Sequence, residues 1–394
     1  MKYILRHQEK AIQAALHRNK SVLLLGPRQT GKTTLIDRLG GDLVLSFVHP
    51  EIRQRYEKEP SALAKEVEAL KTGKRSKRPL IVLDEVQKVP EILDVAQDLI
   101  DRQKANFVLT GSSARKLRRG TQINLLPGRV VALRLDPLIL AETGARPLKD
   151  LLLYGSLPGV LRAEREGDRE IDLKSYVTTY LEEEVRAEAI VRNVGVFSRF
   201  LEYAASESGQ TVNFRKLSQE IGVAHTTIIS YYQILEDCLV AERIEPLTKS
   251  KTRKKLTKSE KYVFFDLGVR RLASGEGPEL PRESWGRLFE QWAGLELLRC
   301  ARLSEKRIRI RFWRDPDGPE IDWVIEGGNR YVPVEVKWTD HPSEKDVRHL
   351  SVFLREYPSA KTAYLVCRIP RRMKLAENIV AIPWQEIDRL ILVP

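Results

Sequence analysis

The chain has 394 residues, 42% hydrophobic and 31% charged, with a formal net charge of +13 and a pI near 9.5. That length allows a large core divided among two or three domains, and no run of about 18 apolar residues is present to span a bilayer. The positive balance favours a polyanionic partner, most simply nucleic acid, although an acidic membrane surface would attract the same charge. Cys238, Cys300 and Cys367 stand too far apart for a disulfide framework or a metal cluster. The opening stretch, MKYILRHQEKAIQAAL, mixes acids and bases as an amphipathic helix does, unlike a secretory signal, so a cytoplasmic protein without a membrane partner is expected.

The first strong signal runs from Ser21 to Leu35. Val22 to Leu25 reads as a short buried strand. Gly26, Pro27, Arg28, Gln29, Thr30, Gly31, Lys32 and Thr33 then fill the pattern G-x-x-x-x-G-K-[ST], with Thr34 following and a helix expected to start at the lysine. The glycines let the backbone turn tightly, so that successive N–H groups and a helix N-terminus face an anion. Lys32 would reach the β- and γ-phosphates and the Thr33 hydroxyl would hold Mg²⁺, which makes ATP and Mg²⁺ the expected ligands. A strand before the loop and a helix after it set it apart from a chance Gly-rich turn.

About fifty residues on, LIVLDEVQ places Asp84 and Glu85 at the carboxyl end of an apolar strand, the edge at which open α/β sheets collect ligands. In a P-loop enzyme Asp84 would hold Mg²⁺ beside Thr33, and Glu85 would orient the attacking water. A third strand, Asn106 to Leu109, runs into Thr110-Gly111-Ser112-Ser113, where a hydroxyl can contact the γ-phosphate or the water. The basic stretch Lys71 to Arg78 reads either as solvated surface or as a phosphate contact.

Taken together, GPRQTGKTT, LIVLDEVQ, VLTGSSARKL and LPGRV resemble a family of archaeal and bacterial AAA+-type ATPases of mostly unassigned role. In that family the C-terminal half is a module of formerly unknown function, and the resemblance spans nearly the whole chain. It implies a sensor role for Thr110 and also for Ser112. It also makes Arg129 a candidate for charge stabilisation in the transition state, in cis or from a neighbouring copy. The other reading of Arg129 is a structural ion pair. Tyr154 to Gly159 resembles a Gly-x-x-Pro turn set against the nucleotide base, or forms a turn between core and lid without ligand contact.

From Glu164 to Ala205 the pattern is helical and charged, as expected for a lid. In 211–243, Leu217 and Ile221 mark a short helix, Gly222 a turn, and Ile228, Tyr232, Leu235 and Leu239 one face of a second helix. This helix-turn-helix pattern leaves His225, Thr226, Ser230 and Gln233 to face a DNA groove. Val240 to Ile244 and Lys261 to Phe265 read as a hairpin around the basic run TKSKTRKKLTKSE, a wing suited to duplex phosphates or, alternatively, part of a protein-docking module.

Beyond residue 280 a helix carrying Glu290 precedes strands at Arg307–Trp313, Glu320–Ile325 and Tyr331–Trp338. A helix from Ser343 to Glu356 and a strand from Thr362 to Cys367 follow. Period two turns Val332, Val334 and Val336 away from Glu335 and Lys337, and Asp322 away from Ile321 and Trp323. One polar face can therefore gather Glu290, Asp322, Glu335 and Lys337. This order, with an aspartate thirteen residues before E-x-K, resembles the restriction-endonuclease-like superfamily, although the usual Pro-Asp dipeptide is absent. The resemblance implies that the acids hold Mg²⁺ and that Lys337 activates water or steadies the phosphate transition state. The bland alternative is a set of ion pairs on a solvated sheet face.

The expected architecture is α/β. It comprises an AAA+ P-loop core over 1–165, a helical lid and winged helix over 166–268, and a restriction-endonuclease-like domain of the PD-(D/E)xK type over 280–394. The expected function is ATP hydrolysis coupled to DNA binding and processing, with branched DNA and a homo-oligomer as candidate partners. The alternative is a nucleotide-dependent switch that binds DNA or protein without cleavage.

Overall fold

The structure, a computed structural model, describes residues 3–70, 78–113, 126, 128–181, 194–248, 256–257, 259–315 and 318–392. Nearly all of the basic stretch at 71–78 and of the basic run between the hairpin strands, at 249–255 and 258, lies outside these residues. The chain divides into two compact units, one comprising the residues through Pro137 with Asp237–Val240, the other built on those from Leu138 onward.

The first unit contains α1 (Gln8–His17), β1 (Ser21–Leu25), α2 (Lys32–Asp37), β2 (Leu43–Ser46), α3 (Pro50–Lys58) and α4 (Ala62–Leu70). β3 (Leu80–Asp84), α5 (Ile92–Asp101), β4 (Asn106–Gly111) and β5 (Val130–Arg134) complete it. Among the described residues its strands are all parallel, in the order β2-β3-β4-β1-β5. Parallel strands are covered on both faces, which explains why β1, β3 and β4 are nearly continuous apolar runs. Leu23, Ile81, Leu83, Phe107 and Leu109 pack with Leu63 and Val67 of α4 and Leu93 and Leu99 of α5. Val22, Leu24, Val82 and Val108 pack with Ile12 of α1 and Leu35 and Ile36 of α2. The register sets Ser46 opposite Asp84 and Leu83 opposite Leu109, so the strand ends carrying Ser46, Asp84 and Thr110 stand level.

The second unit begins with α6 (Leu140–Thr143), α7 (Leu148–Tyr154), α8 (Pro158–Arg162), α9 (Glu166–Ser175) and α10 (Val194–Ser206). In α11 (Phe214–Ile221) the Asn213 side chain accepts the Lys216 N–H at 3.1 Å, and Gly222 ends the helix in the left-handed region at φ 78°. α12 (His225–Asp237) follows. It buries Ile228, Tyr232 and Leu235 and leaves His225, Thr226, Ser230 and Gln233 exposed. β6 (Ala241–Ile244) and β7 (Lys261–Phe264) pair antiparallel. Next come α13 (Leu267–Ala273), α14 (Ser284–Leu303), β8 (Ile308–Arg314), β9 (Glu320–Gly327), β10 (Arg330–Val336) and α15 (Arg348–Glu356). β11 (Ala363–Cys367), β12 (Met373–Ala376), β13 (Ile379–Pro383) and α16 (Arg389–Leu392) close the unit.

Six of these strands form a mixed sheet, ordered β12-β13-β11-β10-β9-β8. Its close fit to α14 depends on Gly294, where an added Cβ would lie 2.0 Å from the Trp323 ring. The helix expected over Ser343–Glu356 is a 3₁₀ turn at Glu344–Val347 that leads into α15, with Ser343 and Asp346 forming a capping box.

Glu296 of α14 is 1% exposed and accepts the Leu140 N–H at 2.6 Å. Burial pushes its pKa up to about 7, with Asp388 and Glu142 adding to the rise and Arg299 and the Leu140 N–H opposing it. The folded value lies above the unfolded one, so this group's stabilisation is complete at acid pH and is lost as pH rises through about 7. Glu296→Gln is expected to flatten that decline, which for a fully buried carboxyl is on the order of 3 kcal/mol between pH 4 and 8. Urea denaturation at a series of pH values checks it, and an unchanged slope would refute the assignment.

Candidate functional site

The phosphate loop leaves the end of β1 at Gly26, the first glycine of its motif, and reaches α2 after Gly31, the second. A Cβ on Gly26 would lie 2.3 Å from the Leu135 carbonyl oxygen, so only glycine fits there. Gly31 sits at φ 93° and Gln29 at φ 60°, which turns the chain into α2 at Lys32. Lys32 is 5% exposed, and its Nζ donates to the Gly26 and Pro27 carbonyls at 2.8 and 3.0 Å. Thr30 donates to the Pro27 carbonyl at 2.9 Å, while Thr33 and Thr34 stand exposed at the first turn of α2. Arg6 holds the loop from outside, its guanidinium donating to the Thr30 carbonyl at 2.7 Å and the Asp136 carbonyl at 2.6 Å.

Asp84 is the centre of this site. It is 1% exposed and accepts hydroxyls from Thr110 at 2.5 Å, Ser46 at 3.1 Å and Thr33 at 3.3 Å. Glu85, in the left-handed region at φ 57°, donates its N–H to the Thr110 hydroxyl at 3.1 Å and stands 3.9 Å from Lys32 Nζ. Its carboxylate accepts from Ser112 Oγ at 3.1 Å and from the Gln87 amide, which also reaches Ser112 at 3.0 Å. A non-glycine residue held at positive φ beside such a network is strained backbone of the kind that gathers at functional sites.

These residues fit a nucleoside triphosphate with Mg²⁺. An ammonium, a helix N-terminus, a hydroxyl and a buried carboxylate converge, and the oxygen ligands are hard donors of the kind Mg²⁺ prefers. Ser46, Gln87 and Arg6 went unnoticed in the sequence because strand order and tertiary contact, rather than local spacing, bring them here. Arg129 makes a bidentate pair with Asp101, at 2.6 and 2.9 Å on an exposed face, which supports the second of its two readings. In the second unit, Gly155 and Ser156 of the Tyr154–Gly159 turn lie against Asp266, which takes the Ser156 N–H at 2.7 Å.

A second cluster lies between α14, β9 and β10. Asp322 is 8% and Glu335 3% exposed, so this is no solvated sheet face. Asp322 accepts the Val336 N–H at 2.9 Å, and Lys337 donates to Glu335 Oε1 at 2.7 Å. Glu335 Oε2 is buried without a hydrogen-bond partner among the described residues. Burial, then Glu335 and Glu290, push Asp322 well above the usual carboxylate range. Glu335 is likewise raised by burial, against the pull of Lys337. Burial disfavours the Lys337 charge, but Asp322, Glu335 and Glu290 outweigh it and hold the ammonium above its ordinary value. Glu290 instead accepts from Lys261 at 3.2 Å. Among the described residues, no group of three or more His, Cys, Asp or Glu is placed to share a metal ion.

A parallel sheet with a glycine-rich phosphate loop after β1 and an acidic pair at the end of β3, with β4 between the two strands, defines a P-loop domain of the AAA type. A family model described as an AAA domain matches residues 18–144. Two others, each described as a domain of unknown function (DUF8612 and DUF4143), match 145–279 and 285–387. The chain belongs to the family of AAA-domain proteins that includes the uncharacterized protein Rv2008c of Mycobacterium tuberculosis and Mb2031c of Mycobacterium bovis. It is 30% identical to each over 380 residues, covering 95% of this chain and 82% of the relative. Among solved structures, the Aeropyrum pernix ORC1 protein in complex with DNA aligns at 12% identity over 68% of this chain and 91% of that one, with a TM-score of 0.29. No helix among the described residues is long and apolar enough to cross a membrane.

Proposed function

We propose that this protein hydrolyses ATP at the loop of its first unit and uses that cycle to bind and process DNA with its later modules. The convergence of Thr33, Ser46 and Thr110 on the buried Asp84 carries the first half of this reading. Lys32 would neutralise charge on the β- and γ-phosphates. Asp84 and Thr33 would hold Mg²⁺, which supplies further neutralisation, and Glu85, steadied by Ser112 and Gln87, would orient the attacking water. Thr110 would register the γ-phosphate through its bonds to the Asp84 carboxylate and the Glu85 N–H. Some such ATPases complete their sites from a neighbouring copy, and a homo-oligomer belongs to the proposal.

The DNA half rests on the net charge of +13, on the exposed residues of α12 next to the β6–β7 pair, and on the second cluster. We read residues 211–265 as a winged helix, with the basic run as its wing, and residues 280–394 as restriction-endonuclease-like. The orphaned Glu335 Oε2, buried beside Asp322, is a place that a divalent cation would satisfy. Lys337 would then steady a phosphate oxygen. With Mg²⁺ or Mn²⁺, the protein is expected to nick branched or linear DNA, and Lys337→Ala to slow nicking by roughly 10²-fold. Absence of nicking, or equal nicking by the variant, rejects cleavage. A second reading, DNA binding without cleavage, is favoured by the lack of a three-carboxylate metal group among the described residues. DNA-stimulated ATPase without nicking would support it.

A further inference from the structure

Nothing in the sequence pattern singles out Lys261, yet its ammonium lies within the acidic cluster. The residue opens β7, opposite Ile244 of β6 and bridged to Thr211, so it approaches from outside the α14–β9–β10 framework. Its side chain is 11% exposed, with Nζ 3.2 Å from Glu290 Oε1. It also stands 4.9 Å from the Phe312 ring centroid and 5.8 Å from that of Trp323. Trp323 in turn donates its indole N–H to the Glu290 carbonyl at 2.9 Å, which fixes this part of α14 against β9.

The cluster thus divides into two halves. On one side Asp322 and Glu335 face Lys337, with Glu335 Oε2 left over. On the other, Glu290 already has a cation, tethered by a well-packed strand and seated over two aromatic faces that favour positive charge. A free divalent ion would have to shed water to compete with an ammonium that is always present. We infer that Lys261 is a built-in cation: it fills the place beside Glu290 that a second metal ion would take, so the cluster accepts a single ion on its Asp322–Glu335 side. This rests on the reading of the cluster as a divalent-cation site.

The test is a Mn²⁺ titration of the full chain, with the free ion counted by electron paramagnetic resonance. Asp84→Asn is present throughout to remove the nucleotide-site carboxylate. One ion per chain is expected, lost in Asp322→Asn. Lys261→Met keeps the apolar stem over Phe312 and Trp323 but removes the charge, and it is expected to add a second ion. Adding Glu290→Gln to that variant should return the count to one. A count that stays at one in Lys261→Met, with affinity within threefold, overturns the role of Lys261 while leaving the metal-site reading intact. If no ion binds and Asp322→Asn changes nothing, both fail. Should Lys261→Met not fold, Glu290→Gln alone decides. It is expected to leave the single site within threefold of its affinity, because Glu290 partners Lys261 and not the ion, and loss of the ion would overturn the inference.

Discussion

Replacing Lys32 by alanine is expected to lower ATP turnover by roughly 10³-fold, the upper range for removing one preorganised donor from a developing anion. The ammonium is buried at 5% exposure and held at the loop by the Gly26 and Pro27 carbonyls, so it is positioned before any nucleotide arrives. In a site shielded from water its charge is screened little, which makes its loss costly in both binding and chemistry. Glu85→Gln provides the contrast. It keeps a side chain that Ser112 and Gln87 can hold, but not the charge that polarises water, so ATP binding should persist while kcat falls by about 10²- to 10³-fold. Calorimetric binding and steady-state turnover of the two variants separate these roles. A Glu85→Gln protein that turns over ATP normally would remove Glu85 from the reaction.

The largest loss of stability is expected from Gly155→Ala. The added Cβ would lie 2.0 Å from Asp266 Oδ1 and 2.4 Å from Oδ2, at a residue held at φ +70°. Asp266 cannot step aside freely. It is fully buried and accepts N–H groups from Ser156 at 2.7 Å, Gly268 at 3.0 Å and Val269 at 3.2 Å, the last two capping α13. At ψ −152° this backbone lies in a region open essentially to glycine alone, which costs an L-residue about 1–3 kcal/mol. Pulling the carboxylate off its donors adds about 1–3 kcal/mol for each N–H left unpaired. A total of roughly 2–6 kcal/mol follows if one bond breaks, enough to unfold much of the second unit. Gly159 in the same turn meets nothing within 4 Å, and Gly159→Ala is expected to be neutral or slightly stabilising. Denaturant titrations of the two variants test the contrast, and equal stabilities would contradict it.

The features most legible in the sequence were those whose chemistry dictates residue type at fixed spacing. Gly26, Gly31, Lys32 and Thr33 follow from the geometry of a phosphate-binding turn. Asp84 and Glu85 follow from an apolar strand that ends in two acids. Ser46 was invisible because a serine closing a four-residue strand says nothing until β2 is placed beside β3. Arg6 and Gln87 reach the site through contacts that no local period encodes. In the second unit, period two separated Glu335 and Lys337 from the valines, but it could not show that both faces of β10 would be covered and Glu335 buried. The strands β12 and β13 carried little signal, one short with a lysine at its centre, the other ending in proline. Lys261 read only as the first residue of a hairpin strand that follows a basic run, and only the fold turns it inward.

Energy from ATP being used on nucleic acid is tested most directly by the hydrolysis rate of the purified chain with Mg²⁺. The rate should be measured alone and with duplex, single-stranded and four-way DNA, each at 50 and about 200 mM salt. The expected result is a faster rate with DNA that drops steeply at the higher salt, as phosphate contacts are screened. A rate indifferent to every polynucleotide at both salt concentrations would contradict the coupling.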